Sequence, residues 1–258
     1  MQLVLTSVNS GVGTITLNRP EKRNALSTEL VTELKHSFQM MERKQSVKVV
    51  ILKAEGKAFC AGADLAYIQQ LSQNTFEDNL EDSSHLRELF EMIHNLDKVV
   101  IAQVQGHALA GGCGLASICD FVFAVPEAKF GYTEVKIGFV PALVSVFLTS
   151  KIGETMAREM LLSARLYTAG EAQSFRLINE VVPADQLESY VRKFAADLIS
   201  NNSQEAMKLT KQLFIINQGL TLNNALDEMA KMNARARSTE DCQRGIAAFL
   251  SKEKISWN

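Results

Sequence analysis

The chain has 258 residues, of which 47% are hydrophobic and 22% charged, and its net charge is −2. That length suffices for one substantial core and an appendage, and so little charge offers no basic footprint for nucleic acid. The opening MQLVLTSVNSG turns polar too early for a secretory signal, and no apolar run is long enough to span a bilayer. The longest, over 140–147, is interrupted by Pro141 and Ser145. The expectation is a cytoplasmic protein whose four cysteines, Cys60, Cys113, Cys119 and Cys242, stay reduced, since none has zinc-ligand spacing.

Residues 3–8 and 14–17 are strand-forming and flank Asn9-Ser10-Gly11, a hairpin signal. Ser27 caps an expected helix to about Lys44, followed by a short buried strand at 47–53. Residues 55–66 read as a Gly/Ala-rich loop, and 74–82 as a polar, mobile stretch. A helix at 85–96 has Leu86, Leu89, Phe90 and Ile93 on its apolar face, and a buried strand at 99–104 follows. A small-residue helix at 111–118 leads to a strand at 121–124. Strands alternating with helices predict an α/β domain with largely parallel pairing. From about Ala184 the pattern is helical, at 185–200, 203–217, 221–237 and 239–250, and no Pro-, Gly- or Ser-rich linker separates this part.

Three segments carry candidate chemistry. In the loop Phe59-Cys60-Ala61-Gly62-Ala63-Asp64-Leu65 small residues allow a ligand close to the backbone; a tight turn capped by Asp64 explains them equally well. Gly111-Gly112 opens a helix, where unpaired N–H groups and the dipole favour an anion or an oxygen gaining charge; glycines are also ordinary turn residues. Together, two such loops can form an oxyanion hole. Glu134, among Tyr132, Val135 and Ile137, is either a partly desolvated acid–base group or a solvent-facing residue. Asp120, at the C-terminal end of the small-residue helix, is expected to make a structural hydrogen bond or salt bridge. Glu21-Lys22-Arg23, and Lys252 with Lys254, read as phosphate contacts or as solvated turns.

Taken in order, ITLNRPEKRNALS, KAFCAGADL, GGCGLASICDFVFA, FGYTEVKIGFVP and FLSKEKISW resemble the enoyl-CoA hydratase/isomerase (crotonase) family over essentially the whole chain. The resemblance implies an α/β fold, a ClpP/crotonase-like spiral of ββα units with a helical C-terminal subdomain. Residues 1–195 would form the spiral core with its acyl-CoA site, and 196–258 the C-terminal oligomerisation subdomain of a homotrimer or homohexamer. It places the oxyanion donors on Ala63 and Gly111 and the catalytic carboxylate on Glu134. Lys22, Ala61, Ala63, Asp64, Leu65, Ala66, Gly111, Gly114, Phe249 and Lys252 would contact the substrate. CoA would be part of that substrate; no metal or redox cofactor is implied. Many hydratases of the family carry a second glutamate, which would fall at position 114, and this chain has Gly114 there. The run Pro141-Ala142-Leu143-Val144-Ser145 likewise replaces a Gly-rich run. GGCGLA, TEVKIGFVPA and KEKISW look like the bacterial methylglutaconyl-CoA hydratase-like subgroup of leucine catabolism. The implied reaction is hydration of a 2-enoyl-CoA with one glutamate. The alternatives are a Δ3,Δ2-enoyl-CoA isomerase or related lyase or decarboxylase, and a non-catalytic acyl-CoA- or RNA-binding protein.

Overall fold

The computed structural model describes residues 2–71 and 73–257; for residues 65, 66 and 70 it describes the backbone alone. β1 (Val4–Asn9) and β2 (Val12–Leu17) form the first hairpin. Its turn residues Ser10 and Gly11 have φ of 48° and 81°, as required by the two-residue turn whose twist matches the strands. β2 is buried throughout, because β3 (Val49–Ala54) lies parallel on its other side. β5 (Val99–Val104), β7 (Phe121–Ala124) and β10 (Glu180–Val181) continue the sheet in that order. Parallel strands covered on both faces are apolar at successive positions, as VVILKA and VVIAQV are.

α1 (Thr28–Arg43) begins where Leu30 N–H donates to the Ser27 hydroxyl, and it buries Leu30, Leu34, Phe38 and Met41 along one stripe. α3 (Phe76–Asn95) starts well before the expected 85. Thr75 and Asp78 satisfy each other's backbone N–H groups in a capping box. The stretch read as polar and mobile is therefore mostly the first turns of this helix, with Glu77, Asp78 and Glu81 exposed and Asp82 accepting the Tyr67 hydroxyl.

A second sheet is built from β4 (Ala58–Cys60), β6 (His107–Leu109), β8 (Lys129–Gly131) and β9 (Tyr167–Thr168), the first three parallel and the last antiparallel. The expected loop at 55–66 thus contains a strand, and α2 (Leu65–Leu71) begins at its end. α4 (Gly111–Ser117) follows β6 directly. α5 (Ala142–Ile152) and α6 (Glu154–Ser163) are separated at Gly153, whose φ is 78°.

α7 (Ala169–Ser174) leads to β10, and α8 (Leu187–Asn201) then lays Leu187, Val191, Ala195 and Ile199 against the main sheet. The Phe194 ring on α8 meets those of Phe121 and Phe123 at 4.9 Å. α9 (Gln204–Ile216), α10 (Leu222–Arg237) and α11 (Glu240–Ser251) pack on one another. Lys211 pins α9 to the sheet by donating to Asp120 Oδ2 at 2.8 Å. Asp120 also accepts the Val100 N–H at 2.7 Å, so it has the structural partners expected of it. Phe214, Leu226, Phe249 and Leu250 on these helices are exposed. Among the described residues no helix is long and apolar enough to cross a membrane.

Candidate active site

β4, β6 and β8 lie side by side and parallel, so the segments following them leave the sheet at one edge. Those segments are 61–64, 110–112 and 132–134, which contain Ala63, Gly111 and Glu134. Strand C-termini of this kind are where open parallel sheets place their ligands.

The loop after β4 is clamped by backbone bonds to 23–26. Ala61 N–H donates to Arg23 O at 3.0 Å, Leu26 N–H to Gly62 O at 2.7 Å, and Asp64 N–H to Leu26 O at 3.0 Å. Leu26 thus pairs with Ala63 as a parallel bridge that engages the neighbours of Ala63. In extended chain, successive N–H groups point to opposite sides, so that of Ala63 faces away from Leu26. Ala63 itself is exposed.

The loop after β6 turns sharply at Ala110, with φ 51° and ψ −129°. A non-glycine residue there stores about 1–3 kcal/mol of strain. Ala110 N–H donating to Gly131 O at 2.8 Å holds it in place, as does Ala110 O accepting the Gly114 N–H at 3.1 Å. Gly111 is then the first residue of α4, where N–H groups have no acceptor within the helix. The two loops touch through backbone. A Cβ on Gly112 would stand 2.2 Å from Cys60 O, and one on Gly62, at φ 93°, 2.6 Å from the Ala110 Cβ. Glycine is required at both positions, and the close approach sets the Ala63 and Gly111 segments against each other.

Glu134 opens the 3-10 helix Glu134–Ile137, which ends at Gly138 with φ 76°. Its Oε2 is buried with no hydrogen-bond partner among the described residues. Burial pushes its pKa up, partly offset by the backbone N–H groups of Glu134 and Thr133. A partly desolvated carboxylate is a stronger base near neutral pH than an exposed one. Beside it Tyr132 is fully buried, its hydroxyl 3.5 Å from Ser117 Oγ on α4.

Gly114 lies on α4 one turn beyond Gly111, and it is buried. A Cβ built there would stand 2.2 Å from Val144 Cγ1 and 3.1 Å from Val144 Cβ, with Phe90 Cζ at 3.5 Å. The space that a side chain at position 114 would enter is filled from α5.

Several surrounding residues escaped the sequence reading. Arg19 bonds Asp64 Oδ2 at 3.0 Å and donates to Ala25 O at 3.1 Å, tethering the Ala63 loop. Asn24, fully buried, accepts the Arg19 N–H and donates to Glu55 O and Ala58 O. Lys151 donates to Ser117 O at 2.7 Å and Cys119 O at 2.9 Å, at the end of α4 where a cation suits the dipole. Their partners are distant in sequence, and no local motif signals them. Lys22 is exposed on the turn that leads into the 23–26 clamp. Leu65 and Ala66 open α2, and their side chains lie outside the described residues. Phe249 and Lys252 belong to α11 and its C-terminal cap, apart in sequence and element from the three loops. Cys60, Cys113 and Cys119 are buried, and burial pushes each thiol up to about 12; they are packing groups rather than nucleophiles. Among the described residues no three His, Cys, Asp or Glu side chains gather to hold a metal.

Residues 7–258 match the family model described as enoyl-CoA hydratase/isomerase. A protein of Thermus thermophilus, provisionally named an enoyl-CoA hydratase, is 39% identical over 93% of this chain and 95% of its own length. The 2,3-dehydroadipyl-CoA hydratase of Escherichia coli is 31% identical over 98% of this chain and 97% of its own length. The crystal structure of an enoyl-CoA hydratase from Shewanella pealeana superimposes with a TM-score of 0.92 at 32% identity, covering 97% of this chain and 94% of that one. The sequence motifs, the two-sheet architecture and these matches agree: the chain belongs to the enoyl-CoA hydratase/isomerase (crotonase) family.

Proposed function

We propose that this protein hydrates the 2,3-double bond of a branched enoyl-CoA thioester, specifically 3-methylglutaconyl-CoA, with Glu134 as its single acid–base group. The observation that carries the reading is the buried Oε2 of Glu134, which has no hydrogen-bond partner among the described residues, on a segment leaving the same sheet edge as Ala63 and Gly111. The N–H groups of Ala63 and Gly111 donate to the thioester oxygen. Conjugate addition puts charge on that oxygen, and each donor supports the enolate by about 2.7–4 kcal/mol. Glu134 takes a proton from water as its oxygen bonds to C3, the C2=C3 π pair moves into the enolate, and Glu134 returns the proton to C2. The carboxylate ends as it began, and one water has been added.

The distal carboxylate of the substrate holds the attacking water from the side that lacks a protein carboxylate. The sequence likeness to the methylglutaconyl-CoA hydratase-like subgroup supports this acyl chain, as does the name of the E. coli relative, which denotes a diacid thioester. Lys22, Phe249 and Lys252 contact the CoA moiety, in a cytoplasmic trimer or hexamer formed by the exposed apolar faces of the C-terminal helices.

A turnover screen over crotonyl-, 3-methylcrotonyl-, 3-methylglutaconyl- and 3-enoyl-CoA tests the reading. It requires the highest kcat/KM for hydration of 3-methylglutaconyl-CoA. The filled space at Gly114 favours one competing reading, double-bond isomerisation by a lone base shuttling a proton between C2 and C4. Fastest turnover of the 3-enoyl substrate would select it.

A further inference from the structure

We propose that Val144 is a specificity-determining residue that keeps this site at one carboxylate, and that Gly114 and Val144 act as a coupled pair. The proposal rests on the hydration reading above and adds the residue that imposes its substrate class. Val144 is 5% exposed, and its Cγ1 stands 2.2 Å from the point a Cβ at position 114 would occupy, with Phe90 Cζ of α3 3.5 Å from the same point. Phe90 in turn packs edge-on against Phe147, one turn further along α5, at 6.1 Å and 87°. Valine on a helix is nearly confined to one rotamer, so its methyl group has nowhere to swing. Even with both methyl groups removed, the Val144 Cβ at 3.1 Å would leave position 114 crowded.

Two changes that look independent in sequence, a glycine on α4 and a valine on α5, are thus one packing decision. Its consequence is chemical. At position 114, one turn beyond the Gly111 donor, the groups that fill the space are the apolar side chains of Val144 and Phe90, and neither is an acceptor for water. A substrate that carries its own carboxylate supplies the missing acceptor, and a second protein carboxylate would repel it. The Gly114–Val144 pair therefore favours enoyl-CoA esters with a distal carboxylate over plain enoyl chains.

The packing arm is a cycle of Gly114→Ala, Val144→Ala and the double variant, read by thermal melting. Glycine to alanine inside a helix ordinarily stabilises. Here Gly114→Ala is expected to lower Tm by roughly 4–8 °C, because overpacking costs more than propensity returns, and Val144→Ala is expected to restore at least half of that. The chemical arm is the exchange Gly114→Glu with Val144→Gly. The paired variant is expected to melt above Gly114→Glu alone. Its kcat/KM ratio for 3-methylglutaconyl-CoA over crotonyl-CoA should fall at least tenfold below wild type. A Gly114→Ala variant as stable as wild type, or one that Val144→Ala fails to rescue, overturns the pairing. A folded paired variant with the wild-type ratio overturns the specificity role. The melting arm needs no turnover, so failure of the hydration reading leaves it interpretable.

Discussion

Replacing Glu134 by glutamine preserves the side chain's shape and removes its capacity to exchange a proton. General acid–base catalysis contributes about 10²–10⁴ in rate, and the surroundings of Glu134 place this case in the upper half of that range. Position 114 has no carboxylate, and Val144 fills its space. Asp64 is held by Arg19, and Asp120 by Lys211 and the Val100 N–H. With those two acids engaged and glycine at position 114, Glu134→Gln is expected to lower kcat by about 10³, equivalent to about 4 kcal/mol of barrier. Affinity for a CoA ester should change less than about threefold, because the proposed oxygen donors are backbone groups. The same substitution has a stability signature. Burial raises the pKa of Glu134, so the folded state holds this proton more tightly than the unfolded chain. Wild-type stability then carries a penalty that is absent below the unfolded pKa, grows as pH rises through the interval between the two values, and is complete above the folded one. Glu134→Gln lacks the penalty, so its Tm relative to wild type should rise with pH across that interval. Steady-state kinetics, a binding titration and melts at several pH values make the assay. A variant within tenfold of wild-type kcat, with unchanged folding, would refute the role given to Glu134.

Arg19→Met should cut the tether between the guanidinium and Asp64 beside the Ala63 donor. A donor displaced by about an ångström costs up to about 10²-fold, so kcat should fall by roughly 10- to 100-fold with little change in KM, and Arg19→Lys should recover part of it; a pure KM effect would contradict the tether. A thiol reagent at pH 8 should modify Cys242 alone in the folded protein, since the other three cysteines are buried with thiols pushed up to about 12, and all four after denaturation. Rapid labelling of a second cysteine in the folded state would contradict that burial.

Much of the main sheet was legible because its strands are long enough to show their pattern. VVILKA and VVIAQV are apolar at successive positions, and Asn9-Ser10-Gly11 marks its own turn. The second sheet was not, since β4, β6, β8 and β9 are two or three residues each, too short for any period to register. The start of α3 was readable from the Thr75–Asp78 spacing but was masked by the polar run after it. At the site, the glycines and Glu134 announced themselves by type and order. Val144, Arg19 and Lys151 did not, because each acts on a chain segment that only tertiary packing brings near. Gly114 is the instructive case. Sequence showed a missing carboxylate, and only the approach of α5 shows that a methyl group occupies its place.

The most direct test of hydration by a single carboxylate is turnover of 3-methylglutaconyl-CoA in H₂¹⁸O, followed by mass spectrometry of the thioester product. The account predicts one ¹⁸O atom, bonded at C3, in each product molecule formed by wild type, and the rate at which labelled product forms reduced about 10³-fold in Glu134→Gln. A product that has moved its double bond without acquiring ¹⁸O would contradict it.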